Sequence, residues 1–157
     1  DRIKAAVDAR TDDDFVIMAR SDALAVENEE MLLERINSYI EAGADMIFPE
    51  AMVSLEGYKK IAEESSVPIL ANITEFGKTP LFSKKELHDV GVSMILYPLT
   101  AFRAMSKAAE KIYKELSSAE SQDHMLEVMQ TRDELYDYLS YHKYENEMDD
   151  ILNKKDE

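Results

Sequence analysis

Four short apolar runs constrain the fold of this chain more than any other feature. They are Phe15–Ala19, Met46–Phe48, Val67–Ala71 and Val92–Tyr97. None shows the apolar–polar alternation of a half-exposed strand, so each is predicted to be a parallel strand covered on both faces. The runs start roughly 20 to 30 residues apart, which is close to the length of one strand–helix unit. The sequence therefore predicts an α/β fold with a parallel sheet.

Helical patterns fill the intervals between these runs. Apolar residues recur at helical spacing over Glu29–Ala42, Leu55–Glu64 and Thr100–Leu116, and Ser83 with Glu86 has the spacing of a capping box. The last of these helices is expected to turn five residues toward a core: Phe102, Ala109, Ile112, Tyr113 and Leu116. A TIM barrel has eight strand–helix units and about 250 residues. Four units therefore predict either a small open doubly wound sheet or half of a barrel.

No strand pattern follows Ser117. Two apolar stripes occupy this tail, one formed by Met125, Val128 and Met129 and the other by Leu135, Tyr138, Leu139 and Tyr141. They are explained equally well by an extra pair of helices on the core and by a dimerisation arm. We accordingly expect the strand–helix units to occupy residues 1–117 and a helical tail to occupy residues 118–157.

Charge and composition exclude several classes of partner. The chain has 157 residues, enough for one domain with a core, and a net charge of −15 that repels nucleic acid. No apolar run approaches the roughly 20 residues that span a bilayer, so we expect no membrane partner. The absence of cysteine fits a cytoplasmic protein and excludes a thiol nucleophile. The first residues, DRIKAAVDAR, lack a signal peptide's apolar region and read as a helix already in progress, which predicts a fragment.

Polar residues follow three successive strands. Arg20 comes at the end of the first, Glu50 follows the second, and Asn72 with Thr74 follows the third. Ligands of parallel α/β folds bind outside the carboxyl ends of the strands, where these side chains would meet. Arg20 is suited to bind a carboxylate or a phosphate. Glu50 is suited to accept from a hydroxyl or from the water shell of a divalent metal. Asn72 and Thr74 are suited to orient a bound substrate. The set predicts a site for a small polyanionic, oxygen-rich substrate, with no nucleophile and no histidine-rich metal motif.

Five sequence blocks carry a resemblance to a known enzyme family: FVIMARSDALAVE, EAGADMIFPEAM, VPILANITEFGKTPLFS, LYPLTAFRAMSKAAEKIY and MQTRDELYDYLSYHKYE. They resemble the 2-methylisocitrate lyases of the isocitrate lyase and phosphoenolpyruvate mutase superfamily. The resemblance covers essentially the whole chain and matches the second half of the family's sequence. It implies the C-terminal half of a TIM barrel, in a homotetramer whose C-terminal helix is swapped between neighbouring subunits.

The resemblance also implies an activity. The family cleaves 2-methylisocitrate to pyruvate and succinate in the methylcitrate cycle of propionate catabolism, using Mg²⁺. Arg20 would then bind a substrate carboxylate, while Glu50 would face the substrate and the water shell of the metal. Further substrate contacts would come from Asn72, Ile73, Thr74, Arg103 and Arg132. Ser21 stands where the family has threonine, and Glu75 and Phe76 receive no role beyond support of their loop.

The residues that the resemblance assigns to catalysis and to metal binding are not found in this chain. The family's catalytic cysteine loop and its magnesium-binding aspartates belong to the other half of its sequence, and this chain has no cysteine. We therefore expect no catalytic residue and no direct metal ligand here, and no lyase activity from the chain alone. The alternatives are another superfamily enzyme, such as an isocitrate lyase, an oxaloacetate decarboxylase or a phosphonopyruvate-type enzyme, or a non-catalytic half-barrel that associates with a partner.

Overall fold

The computed structural model of the chain describes residues 1 to 153. The chain divides into two compact units, Asp1–Ala104 and Met105–Glu157.

The first unit alternates helices and parallel strands. Its strands are β1 (Met18–Ser21), β2 (Met46–Pro49), β3 (Leu70–Asn72) and β4 (Met94–Leu96). The helices are α1 (Arg2–Ala9), α2 (Glu29–Glu41), α3 (Leu55–Glu64), α4 (Lys84–Asp89) and the start of α5 (Thr100–Leu116), with a 3₁₀ turn at Ala23–Ala25. This alternation confirms the predicted α/β class.

The strands lie side by side in chain order. β1 pairs with β2 in parallel, with Met18 opposite Met46, and β3 pairs with β4 in the same way, with Leu70 opposite Met94. A single parallel bridge between Ile47 and Ile69 joins the two pairs. The strand order therefore runs β1–β2–β3–β4 with no reversal among the described strands.

Three strands begin later than their apolar runs predict, and two of the delays have a local cause. Before β1, the Ile17 amide donates to Asp45 Oδ2 at 2.7 Å, and Phe15 and Val16 are exposed. Before β3, the Val67 amide donates to Ser65 Oγ at 3.2 Å, and the next residue is a proline without an amide proton. Side-chain acceptors thus take amides that would otherwise join the sheet.

The helix boundaries follow their capping residues. Asn28 and Ser54 accept the amides of Met31 and Gly57 at the starts of α2 and α3, at 3.0 and 3.1 Å. The predicted capping box of α4 is confirmed, because Ser83 accepts from the Glu86 amide while Glu86 accepts from the Ser83 amide. After α2, Gly43 adopts a φ of 95°, in the left-handed region that glycine occupies without strain.

The core lies between the sheet and the helices that connect its strands. Its buried residues come from the strands and their lead-in segments, including Ala19, Ile47, Ile69 and Ala71, and from α2, α3 and α4, including Leu32, Ile36, Tyr58, Ile61 and Leu87. Tyr58 packs edge-on against Phe82, with ring centroids 6.4 Å apart. Burial of this apolar surface stabilises the arrangement of the strand ends.

The expectation that α5 turns an apolar face toward a core is wrong for this chain. None of its residues is buried, and Phe102 and Tyr113 are 59% and 75% exposed. On β4, Met94 and Leu96 are also exposed. Helical periodicity fixes which residues share a face of α5, but among residues 1–153 nothing buries that face.

The second unit is helical. It contains a 3₁₀ helix at Asp123–Val128, α6 (Arg132–Leu139) and α7 (Tyr141–Asn153). Ser140, with a φ of 50°, separates α6 from α7, and Tyr136 stacks on Tyr141 across this break at 4.3 Å. Most apolar residues of the two predicted stripes are exposed, although Met125 is buried. The division at residue 117 and the role of the tail stay predictions, and residues 154–157 of that tail lie outside the described residues.

Within the described part of the chain, no helix has both the length and the apolar character needed to cross a membrane.

Candidate active-site rim

The carboxyl ends of the four strands form a rim of polar side chains in the first unit. β1 ends in Arg20 and Ser21, Glu50 directly follows β2, β3 ends in Asn72, and Thr100 starts the helix that follows β4. Parallel pairing in chain order places these ends along one edge of the sheet. The predicted convergence of strand ends is therefore present.

Arg20 is held by two carboxylates. Its Nε and Nη2 donate to the two carboxylate oxygens of Asp22, each at 2.9 Å, and Nη2 lies 3.3 Å from Glu50 Oε2. The guanidinium also lies over the Phe48 ring, 4.8 Å from its centroid. The hydrogen bonds with Asp22 raise the pKa of Arg20 and lower the pKa of Asp22, so both groups stay charged.

Glu50 joins the ends of three strands. Its Oε2 accepts from Asn72 Nδ2 at 3.2 Å while also facing Arg20, and its backbone amide donates to the Ser21 carbonyl at 2.9 Å. The next residue, Ala51, has a φ of 61°, a conformation that costs energy for a residue with a Cβ. Arg20, Glu50 and Asn72 are therefore one hydrogen-bonded and ion-paired group, as their positions after the strands predict.

A buried phenol lies behind this group. Burial, together with the negative charge of Glu50, raises the pKa of Tyr58 to about 12, so this hydroxyl stays protonated at neutral pH. The helical spacing over Leu55–Glu64 predicts only that Tyr58 lies on the apolar face of α3. Nothing in its spacing within the helix distinguishes it from a simple core residue.

Three buried side-chain oxygens at the end of β3 and in the loop after it have no hydrogen-bond partner among residues 1–153. They are Asn72 Oδ1, Thr74 Oγ1 and Glu75 Oε2. Buried polar atoms in folded proteins are nearly always paired with protein or water, because an unpaired one costs its full desolvation free energy. Three such atoms within four residues therefore indicate a place where a ligand or water supplies hydrogen bonds.

Ile73 differs from its two polar neighbours. Its side chain is buried in the core, and its amide donates to the Leu96 carbonyl at 2.9 Å. Neither group is free to contact a substrate, which leaves only the Ile73 carbonyl for that role. The predicted contact of Ile73 with substrate stays a prediction and is limited to its backbone.

The loop after β3 reaches the start of α5. Glu75 Oε1 accepts from Thr100 Oγ1, and Glu75 Oε2 lies 3.8 Å from Arg103 Nε. Arg103 also lies over the Phe76 ring, 5.3 Å from its centroid. The family resemblance implies a substrate contact for Arg103 but predicts neither of its two partners, because residues 75 and 103 share no spacing pattern.

Arg132 is the first residue of α6, directly after the N-cap Thr131. It belongs to the second unit, so its proposed contact with substrate stays a prediction.

A separate cavity of about 750 Å³ lies beside β1 and is lined by residues of α1 and α2 together with Arg20. Glu50 and Asn72 do not line it. We locate the candidate site at the strand ends instead, because that is where the charged groups and unpaired oxygens converge.

Comparison with known proteins identifies relatives of the whole chain. A 2-methylisocitrate lyase of Salmonella typhimurium is 55% identical over 155 residues, which are 99% of this chain and 52% of that protein. A 2-methylisocitrate lyase of Escherichia coli is also 55% identical and covers 97% of this chain and 51% of its own length. This chain therefore spans about half the length of the curated relatives it matches.

Solved structures agree with these sequence matches. A 2,3-dimethylmalate lyase, described as a member of the PEP mutase/isocitrate lyase superfamily, superposes with a TM-score of 0.80 at 25% identity and covers 96% of this chain and 53% of its own. An oxaloacetate acetylhydrolase superposes with a TM-score of 0.83 at 25% identity, covering 97% of this chain and 51% of its own. The family model of phosphoenolpyruvate phosphomutase matches residues 1–117, and the chain belongs to that family.

Proposed function

We propose that this chain is the C-terminal half of a 2-methylisocitrate lyase and supplies its substrate-binding residues. The enzyme would be a carbon–carbon lyase that cleaves 2-methylisocitrate to pyruvate and succinate. One observation carries the proposal: Arg20, Glu50 and Asn72 are linked at the strand ends, beside unpaired oxygens, in a chain 55% identical to such a lyase. The methylcitrate cycle of propionate catabolism is the expected setting, and the cytoplasm the expected location.

Arg20 is suited to bind a substrate carboxylate. Two of its nitrogens are engaged by Asp22 and Glu50, while Nη1 makes no hydrogen bond to residues 1–153. A guanidinium fork matches the two oxygens of a carboxylate, and it is half-exposed here. A substrate carboxylate would bind at Nη1 or displace Asp22, whose own carboxylate already occupies the fork.

Asn72 and Thr74 are suited to orient the rest of the substrate. The Asn72 side-chain amide donates a hydrogen bond from Nδ2 to Glu50. The Asn72 Oδ1 atom therefore remains as an acceptor for a substrate hydroxyl or a carboxylic acid. The Thr74 hydroxyl can both donate and accept. With Arg103 and Arg132 as further carboxylate ligands, the set matches a small polycarboxylate.

The strand order supports half of a barrel over an open doubly wound sheet. A doubly wound sheet reverses its strand order at a switch point, whereas a barrel adds each strand beside the previous one. The four strands here follow chain order. The exposed apolar residues of α5 and β4 fit a homo-oligomer, with a tetramer and a swapped C-terminal helix as our proposal from the family resemblance.

The described residues alone do not fit a direct magnesium site. No group of three or more His, Cys, Asp or Glu side chains able to hold a metal ion occurs among residues 1–153. Glu50 is one carboxylate whose Oε2 is already engaged by Arg20 and Asn72. Mg²⁺ keeps much of its water shell, so the contact we propose for Glu50 runs through water.

The experiment that tests this function uses two proteins. One is the chain alone; the other is a hybrid in which the chain replaces the matching part of the Salmonella typhimurium relative. Pyruvate release from 2-methylisocitrate is followed by a coupled dehydrogenase assay. We expect cleavage by the hybrid and none by the chain alone, because the chain has no cysteine to serve as the thiol that the family resemblance implies.

The same two proteins distinguish the alternatives when consumption of each candidate substrate is followed. Cleavage of isocitrate, oxaloacetate or phosphonopyruvate in preference to 2-methylisocitrate by the hybrid would replace the proposed substrate with that one. A hybrid that folds and assembles like its parent but cleaves none of the four would favour a non-catalytic association module. Cleavage of 2-methylisocitrate by the chain alone would contradict the proposed inactivity.

A further inference from the structure

We propose that Glu75 is a positioning residue that fixes the orientation of Arg103 at the rim. This inference rests on the proposed function, because it assumes that Arg103 binds a substrate carboxylate. From the sequence, Glu75 receives no role beyond support of its loop.

Glu75 connects two elements of the first unit. It follows β3, whereas Thr100 and Arg103 belong to the first turn of α5, which follows β4. One carboxylate oxygen accepts from the Thr100 hydroxyl, and the other lies 3.8 Å from Arg103 Nε. The hydrogen bond to Thr100 fixes the carboxylate, and the fixed carboxylate then acts on the arginine.

Glu75 contacts Arg103 at Nε, the nitrogen whose position sets the orientation of the guanidinium. Nε is the guanidinium nitrogen nearest the backbone, so a carboxylate beside it restrains rotation and leaves the two terminal nitrogens for another anion. Among residues 1–153, Glu75 is the one carboxylate within 4 Å of Arg103. Arg103 therefore has most of its donors available to a ligand.

Phe76 restrains the guanidinium from a second direction. The ring centroid lies 5.3 Å from Arg103 Cζ, within the range of a cation–π contact. Phe76 is 92% exposed and has a φ of 63°, an unusual conformation for a bulky residue. Burial does not account for this exposed ring, whereas contact with Arg103 does.

One of the unpaired buried oxygens, Glu75 Oε2, lies at the contact with Arg103. Glu75 Oε2 is buried and accepts no hydrogen bond from residues 1–153, although Arg103 Nε is close by. The 3.8 Å separation is an ion pair that is still too long for a hydrogen bond. Glu75 Oε2 is therefore available as an acceptor for Arg103, and a small movement of the guanidinium would form the Nε–H hydrogen bond.

An ordinary surface ion pair is the competing explanation. Lys59 and Glu63 are also 3.8 Å apart, but they lie on one helix and both are exposed. The Glu75 side chain is only 26% exposed, against 66% for Glu63, and its pair joins two elements. Exposed pairs contribute little because water screens them, so Glu63→Gln is a matched control for Glu75→Gln.

The first test is a ¹⁵N NMR spectrum of the arginine Nε–H groups in the 157-residue chain. An Arg103→Lys variant assigns the Arg103 signal by its loss. We expect a high heteronuclear {¹H}–¹⁵N NOE for this signal in the parent chain and in Glu63→Gln, because the ion pair and the Phe76 ring restrain the guanidinium, and a lower NOE in Glu75→Gln. An Arg103 NOE that is equally high in Glu75→Gln would overturn the proposal.

The second test measures steady-state kinetics with 2-methylisocitrate in the hybrid enzyme. We expect Glu75→Gln to raise KM by about tenfold and to leave kcat within about twofold, because a misaligned guanidinium weakens binding. Glu75→Asp keeps the negative charge, so it should raise KM less than Glu75→Gln does. Glu63→Gln should have the KM of the parent hybrid. An unchanged KM in Glu75→Gln, with the melting temperature also unchanged, would contradict the positioning role.

The two tests separate the two proposals. If every hybrid is inactive, the proposed function fails, but the NMR signal still decides whether Glu75 holds Arg103. If the hybrid is active and the signal does not depend on Glu75, the positioning role fails and the proposed function stands.

Discussion

Glu50 illustrates how single residues build this rim. Its carboxylate meets Arg20 from β1 and Asn72 from β3, and its charge acts on Tyr58 in the core. The Arg20 side chain of this ion pair is half-exposed, and water screens such a charge, so the pair is expected to stabilise the fold only modestly. Its value lies in holding donors and acceptors in a fixed arrangement, as a binding site requires.

Tyr58 gives a prediction at alkaline pH. Its pKa in the folded chain is raised to about 12, above the ordinary value of 10.0, first by burial and second by Glu50. The stabilisation from keeping this phenol neutral is present below pH 10 and is lost as the pH rises through 12. In an absorbance titration of the tyrosines, we expect the Tyr58 group to ionise late or only on unfolding.

Substitutions identify that group. Tyr58→Phe should remove the late step, whereas Tyr138→Phe, at an exposed position, should leave it in place. A titration in which all 8 tyrosines ionise together near pH 10 in the folded chain would contradict this prediction.

Glu75 gives a prediction at acid pH. Its pKa is lowered below 4.5, chiefly by the hydrogen bond from Thr100, with smaller contributions from its own amide and from Arg103. A depressed carboxylate pKa stabilises the folded state above pH 4.5, and this contribution is lost as the pH falls through the lower folded value. We expect the Glu75 carboxyl carbon to titrate below 4.5 by NMR, and a midpoint at or above 4.5 would be inconsistent with the contacts.

At the scale of elements, local sequence signals set the helices more strictly than the strands. α3 and α5 have the bounds that their apolar spacing predicts, because a helix is specified by its own periodicity and caps. Strand starts depend on which amides find partners in a neighbouring strand. Asp45 and Ser65 take amides near the starts of β1 and β3, and no pattern within either run reveals these contacts.

The cap of α4 can be tested directly. Ser83→Ala removes one half of the capping box and should lower the free energy of unfolding by about 1 kcal/mol. The measurement is urea unfolding followed by circular dichroism. Ser93→Ala is the control, since Ser93 is exposed and its hydroxyl makes no hydrogen bond to residues 1–153. Equal effects of the two substitutions would show that the cap does not stabilise the helix.

The site was predictable only in its outline. Arg20, Glu50 and Asn72 could be grouped because the ends of parallel strands meet at one edge. Asp22 as the partner of Arg20, and Glu75 as the partner of Arg103, depend on side-chain conformations that spacing does not determine. The burial of Ile73 and the exposure of α5 depend on which surfaces are covered, and periodicity alone does not provide that information.

At the scale of the whole molecule, apolar side chains remain exposed along α5. Phe102, Met105, Tyr113 and Leu116 are exposed on this helix, and a soluble monomer rarely leaves a contiguous apolar patch of large size open to water. A net charge of −15 opposes self-association at long range but is screened beyond about 8 Å at physiological salt. We therefore expect apolar burial between copies to prevail.

Sedimentation equilibrium tests this expectation. At physiological salt we expect a mass above the 17.9 kDa of one chain. Tyr113→Glu should shift the population toward the monomer, whereas Ser106→Glu adds the same charge at an exposed polar position of the helix and should have less effect. A folded monomer in the parent chain would contradict the proposed association.

We propose that the rim of this chain binds the substrate of a 2-methylisocitrate lyase. The most direct test is kcat/KM for pyruvate release from 2-methylisocitrate by the hybrid enzyme, with and without Arg20→Met. Loss of the charged fork should lower kcat/KM by about a hundredfold or more while the melting temperature changes little, because Arg20 is half-exposed. An active hybrid whose kcat/KM is unaffected by Arg20→Met would show that the substrate does not bind at this rim.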